Sequence, residues 1–186
     1  MQGGDNGLIK IEGTITQSFN PELFLKKKMV FQGKEVEGIP LVDIVGEHGI
    51  MVIAKDGYSA RFKKDEIMTL LLSQNRILSP HEGLSVREVE KIIVEEERIP
   101  IAIVDDIQNL PMKTKILSEN TAGEYLLIPL LPPSFSYITV YSHDGYHSSF
   151  SFEEAQNLLM DKNKTVFAPK MRKARRVRNV SRIEVY

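Results

Sequence analysis

Asp-Gly-Tyr occurs twice in this chain, in KDGYSARF from Lys55 to Phe62 and in HDGYHSSF from His143 to Phe150, each time with a Phe four residues after the Tyr. Asp144 follows Asp56 by 88 residues, and the surrounding blocks repeat in the same order at nearly the same spacing. GIPL at Gly38–Leu41 faces LIPL at Leu127–Leu130, 89 residues on; IKIEGTI from Ile9 faces IAIVDDI from Ile101, 92 on; VREVEKIIV from Val86 faces VRNVSRIEV from Val177, 91 on. Four ordered blocks constrain the fold more than any single motif, because they require one structural unit to be built twice. The expected organisation is a flexible tether over 1–7, a first unit over 8–97 and a second over 98–186.

Each unit has the same coarse pattern. IMVIAK and YITVYSH precede the two Asp-Gly pairs, and YSARF and YHSSF follow them, all with the alternation and β-branched or aromatic content of strands. Asp-Gly between such runs predicts a hairpin with a type I′ turn at Asp56-Gly57 and Asp144-Gly145. After each hairpin, KKDEIMTLLLSQN places Ile67, Leu70 and Leu71 at helical spacing, and SFEEAQNLLMD does the same with Ala155, Leu158 and Leu159. Ser151 and Glu154 have the spacing of a capping box. The expected class is therefore α+β, each unit running strand, short helix, hairpin, helix, strand. YLLIPLLPPSF, from Tyr125 to Phe135, is the most apolar stretch and is expected in the core.

Composition narrows the function classes. With 42% hydrophobic and 26% charged residues the chain reads as globular, and a net charge of -1 argues against a protein built globally to bind nucleic acid. The absence of Cys removes disulfides, thiolate metal sites and thiol catalysis. No apolar run has the length of a membrane span. MQGGDNG at the start reads either as the stub of an exported or lipid-anchored chain whose leader was removed, or as an ordinary frayed terminus of a cytoplasmic one.

GIPLVDIVGEHG, MVIAKDGYSARFKKDEI and ARRVRNVSRIEV together resemble the oxidoreductase molybdopterin-binding domain of the sulfite oxidase superfamily, over Gly38–Val94 in the first unit and Tyr137–Val185 in the second. The resemblance implies an α+β fold and a tyrosine of the hairpin, Tyr58 or Tyr146, beside the functional cleft. Family enzymes bind molybdenum through a Cys thiolate, which this chain lacks, and each unit is too short for their pterin-enclosing segment. The resemblance thus implies a relative of the scaffold without the metal chemistry.

Two function classes follow. One is a non-catalytic ligand-binding or interaction module, with Tyr58, Tyr146, Asp56, Asp144, His143 and His147 around the hairpin turns as its contact residues. The other is a molybdopterin-dependent oxidoreductase that uses a ligand other than Cys. His143 and His147 flank Asp144, so a metal site is geometrically open to a hairpin, although Lys55 and Ser59 hold those places in the first unit; the commoner alternative is solvated or hydrogen-bonded imidazoles. KMRKARRVR concentrates positive charge, with Arg172, Arg175 and Arg176 as candidates for an anion, whereas the first unit has the acidic VREVEKIIVEEE in the same place. Opposite charges on equivalent elements suit pairing of one unit with the other or with a neighbouring copy, or a solvated strand face.

Overall fold

A computed structural model describes residues 9–14, 17–110 and 123–186; the expected tether lies outside them. The chain divides into two compact units, Met1–Glu97 and Arg98–Tyr186.

The first unit runs β1 (Lys10–Gly13), β2 (Gln17–Ser18), β3 (Lys27–Phe31), β4 (Lys34–Pro40), α1 (Leu41–Val45), β5 (Gly49–Ala54), β6 (Ser59–Phe62), β7 (Leu71–Ser73), β8 (Arg76–Leu78) and β9 (Val89–Glu95). The second runs β10 (Ala102–Val104), β11 (Tyr125–Leu126), β12 (Tyr137–Ser142), β13 (His147–Ser151), α2 (Phe152–Ala155), β14 (Leu159–Met160), β15 (Val166–Phe167) and β16 (Val180–Val185). The first unit has sheets ordered β2-β1-β9-β5-β6 and β3-β4-β7-β8, and the second has β10-β16-β12-β13 and β11-β14-β15.

The expected α+β class is corrected to a mostly β fold, since α1 has five residues, α2 has four, and the other helical pieces are single 3-10 turns. The first expected helix is reduced to a 3-10 turn at Ile67–Thr69, after which the chain enters β7. In the second unit, α2 ends at Ala155 and Leu159 enters β14. Two turns of helical spacing are too few to propagate a helix, and a short apolar run suits a strand covered on both sides equally well. Here Leu71 and Leu72 pair with Pro40 and Ile39 on one side and with Leu78 and Ile77 on the other, so strand pairing satisfies their backbone within the core. Only the start of the second helix keeps its signal, as Ser151 and Glu154 form the capping box.

The central ladders of the two units correspond bond for bond. β5 lies between β6 and β9, with a bulge at Ile53/Ala54; β12 lies between β13 and β16, with one at Tyr141/Ser142. Ahead of the last strand, Glu88 and Asn179 each take a φ of 51°. Their carbonyls accept from the N–H of Lys55 (2.9 Å) and of His143 (3.1 Å). Inward residues of these ladders are fully buried: Ile50, Val52, Phe62, Ile92 and Val94 in one unit, Ile138, Val140, Phe150, Ile183 and Val185 in the other. In the second unit Leu127, Leu158, Met160 and Val166 come from the smaller sheet and its flanks to close the same core. Tyr125, Leu127 and Leu131 of the apolar stretch are buried, while Leu126 is exposed.

Two of the sequence blocks correspond differently from their lettering. Leu41 N–H donates to Leu70 O and Leu127 N–H to Leu158 O, each at 3.0 Å, so Leu41 matches Leu127 and the Ile-Pro-Leu identity is slipped by three residues. The first blocks hold the same sheet position but run in opposite directions: β1 is parallel to β9, whereas β10 is antiparallel to β16. Alternation reads the same from either end, so the sequence carried no sign of direction.

The hairpin turn also differs from the expected type I′. Lys55, Asp56, His143 and Asp144 do not have positive φ; Gly57 (88°) and Gly145 (94°) do. Gly57 N–H donates to Ala54 O (3.0 Å) and Ala54 N–H to Tyr58 O (2.8 Å), with Gly145, Ser142 and Tyr146 repeating this at 3.2 and 2.8 Å. This is the three-residue hairpin in which Gly supplies the left-handed residue of a bulge. A Cβ at either Gly would meet nothing within 4 Å, so only backbone strain opposes it. Gly57→Ala and Gly145→Ala should each cost about 1 kcal/mol. Urea unfolding should show a lower midpoint at unchanged slope, and an unchanged midpoint would mean that the turn relaxes.

Candidate functional site

The hairpin tips present the expected contact residues. Asp56 Oδ1 accepts from Tyr58 N–H and Asp144 Oδ1 from Tyr146 N–H, both at 3.0 Å. Each carboxylate thereby ties down the backbone that carries the tyrosine, the side-chain turn that Asp forms two residues ahead of its donor. Both tyrosines are half-buried, while Lys55, Asp56, His143 and Asp144 are exposed.

The three-residue loop separates the histidines. His143 sits in the turn, whereas His147 starts β13 opposite Tyr141, is buried, and packs its ring 5.4 Å from that tyrosine. Among the described residues no group of three His, Asp or Glu side chains is placed to hold a metal ion. With no Cys in the chain, these residues do not present the ligand set of a thiolate-bound molybdopterin.

The arginines are also drawn apart. Arg175 donates to the Glu154 carboxylate and to Ser149 O, and its guanidinium lies 4.7 Å from the centre of the Phe150 ring. The mutual bonds between Val166 and Val177, like those between Ile77 and Val86, put Arg175 in the place of Leu84, a buried core residue. The second unit therefore closes this corner with a stacked, ion-paired cation instead of an aliphatic side chain. Arg176 lies over Phe167 at 5.7 Å, and Arg172 is exposed. Burial alone would raise the Glu154 carboxyl, but Arg175 and the Ser151 N–H outweigh it and hold it below its ordinary 4.5.

Sequence reasoning passed over a polar network on the outward face of the second unit's main sheet. Arg182 pairs with Glu184 at 3.2 Å, and the Tyr186 hydroxyl donates to the other Glu184 oxygen at 2.9 Å. Tyr186 stacks on Tyr137 at 4.8 Å, Arg182 lies 4.5 Å from the Tyr141 ring centre, and the Thr139 and Ser149 hydroxyls are 2.9 Å apart. Glu184 is only 5% exposed, so its charge depends on these partners. Burial, and then Glu184, push the Tyr186 hydroxyl well above its ordinary 10.0. The available signal was a Glu between two core positions in RIEVY, which alternation assigns to the outward face.

Comparison with family models, curated proteins and solved structures finds no match, and nothing there links the chain to the molybdopterin-binding domain.

Two pH responses follow. Because the folded-state pKa of Tyr186 is raised, its contribution is whole below about pH 10 and is lost as pH rises beyond that. Tyr186→Phe should flatten the fall in stability above pH 10 measured by denaturant titration. Glu154 is shifted the other way, so its contribution is present above about 4.5 and disappears as pH falls through its lowered folded value. Glu154→Ala should cost about 1 kcal/mol at neutral pH through the lost cap, and the deficit against the parent should shrink in acid.

Proposed function

We propose that the chain is a non-catalytic ligand-binding or interaction module in which each unit offers a contact surface at the tip of its own tyrosine hairpin. The observation that carries this reading is the repetition of one hydrogen-bonded frame beneath two different displays. The ladder, bulge, Gly turn and Asp-to-Tyr bond recur in both units. Lys55 and Tyr58 stand on one frame, and His143 and Tyr146 on the other. Rigid turns carrying half-exposed tyrosines suit recognition, since a Tyr ring offers a large apolar surface with a polar end at low entropic cost. Asp56 and Asp144 act as positioning residues in this reading.

A photoreactive phenylalanine at exposed Lys55 or His143, beside the intact tyrosines, should give cross-links to a bound molecule that an equivalent probe at exposed Gln156 does not. Tyr146→Phe should weaken that capture at an unchanged melting temperature, whereas Tyr146→Ala should also lower the melting temperature. Protein purified from a host that makes the pterin cofactor should contain only background molybdenum and pterin fluorescence. Stoichiometric molybdenum would replace the binding reading with the oxidoreductase one.

A further inference from the structure

The edge of the second unit's main sheet carries a surface that the hairpin tips do not use. Among the described residues β10 is the outer strand of that sheet, paired with β16 alone. The strand in the same position of the first unit, β1, has an antiparallel neighbour on its outer side, with Lys10 opposite Ser18 and Ile11 opposite Gln17 in β2. On and beside the open edge, Ile99, Ile101 and Ile103 are 86%, 61% and 53% exposed, alternating with half-buried Pro100, Ala102 and Val104. Natural sheets seldom leave an apolar edge unpaired, because its free N–H and C=O groups template another strand.

The edge also has a direction of charge. RIPIAIVDD runs from basic Arg98 to acidic Asp105 and Asp106. We propose that β10 pairs antiparallel with β10 of a second copy of this chain, about a two-fold axis at Ala102, joining two four-stranded sheets into one.

Charge, side chains and backbone all select this register. Antiparallel pairing sets Arg98 of each copy against Asp105 and Asp106 of the other, whereas parallel pairing sets like against like. An axis at Ala102 places Ile101 opposite Ile103 of the second copy, so the isoleucines of both chains cover one another on one face. The backbone supplies two matching bonds, one from each Ile103, since the Ile101 N–H already donates to Val185 O at 2.7 Å. Tyr137 and Tyr186 exchange both of theirs, at 3.3 and 2.9 Å. Counting alternately from that pair, Ile183 and Val185 turn theirs toward β10 at Val104 and Ala102. Ile103 is left with its N–H and C=O directed to the open edge, where its N–H donates to the Ile101 carbonyl of the second copy. Pro100 then falls opposite Val104 in a pair that needs no inter-strand N–H, the placement an edge proline tolerates. The contact is isologous and closes at two copies.

This proposal rests on the sheet edge and is separate from the binding reading of the tyrosine tips, which Ile103→Lys leaves intact. Sedimentation equilibrium should give twice the chain mass of 21.1 kDa for the parent. Ile103→Lys, an exposed change, should weaken dimerisation by about tenfold or more and leave the melting temperature unchanged at concentrations too low for the parent to dimerise. Register is tested by disulfides, because the parent has no Cys. Mixing Ile101→Cys chains with Ile103→Cys chains should give a covalent dimer on mild oxidation, since directly opposite residues of an antiparallel pair have Cα atoms about 4.5–5.5 Å apart. Either variant alone should give little. A parent that is monomeric at every concentration, a dimer indifferent to Ile103→Lys, or no preference for the mixed disulfide would overturn the proposal; a monomer that instead takes up an extended peptide along β10 would overturn the second copy as its occupant.

Discussion

The pairing of the last long strand of each unit with the first strand of its hairpin is the constraint on which the rest of the structure depends. β5 and β12 are flanked on both sides, so the neighbouring strands satisfy most of their backbone groups. The hairpin is three-residue and bulged, so the strand must be out of step by one residue where the turn begins. Glu88 and Asn179 meet that demand by adopting left-handed backbone and turning a carbonyl toward Lys55 and His143. Once the bulge is in place, the Gly turn and the Asp carboxylate fix the backbone that carries the tyrosine.

A frame held by backbone bonds tolerates different side chains outside its core. The outward face of the first unit's ladder has Met51, Ile53 and Ile93, bordered by the Arg61–Glu95 and Lys91–Glu12 ion pairs. The same positions in the second unit hold Thr139, Tyr141 and Glu184. Leu84 and Arg175 show the same divergence at the rim of the core, where the stacked guanidinium fills the space of an aliphatic group and is anchored by the α2 cap. Divergence on a retained frame is the feature that separates the two units chemically.

Much of the architecture was legible because alternation and turn chemistry are local. The strands around both Asp-Gly pairs, the capping box at Ser151 and the recurrence of the hairpin and closing strand could be read directly from the residues. The helical spacing of Ile67, Leu70 and Leu71 misled, since a two-turn apolar run becomes helix or strand according to what pairs with it. The Ile-Pro-Leu identity misled in another way, because three matching letters do not carry a register.

By itself the sequence determined which faces of its strands are apolar, where the chain turns, and that one frame is used twice, all properties set by neighbouring residues. Tertiary structure alone decided that β1 is parallel and β10 antiparallel to its partner, that Leu71 and Leu159 are strand residues, and that Arg175 joins Glu154 while His143 and His147 part. Those outcomes depend on which backbone groups, far apart in the chain, are left to satisfy one another when the core closes, and no local pattern encodes that choice.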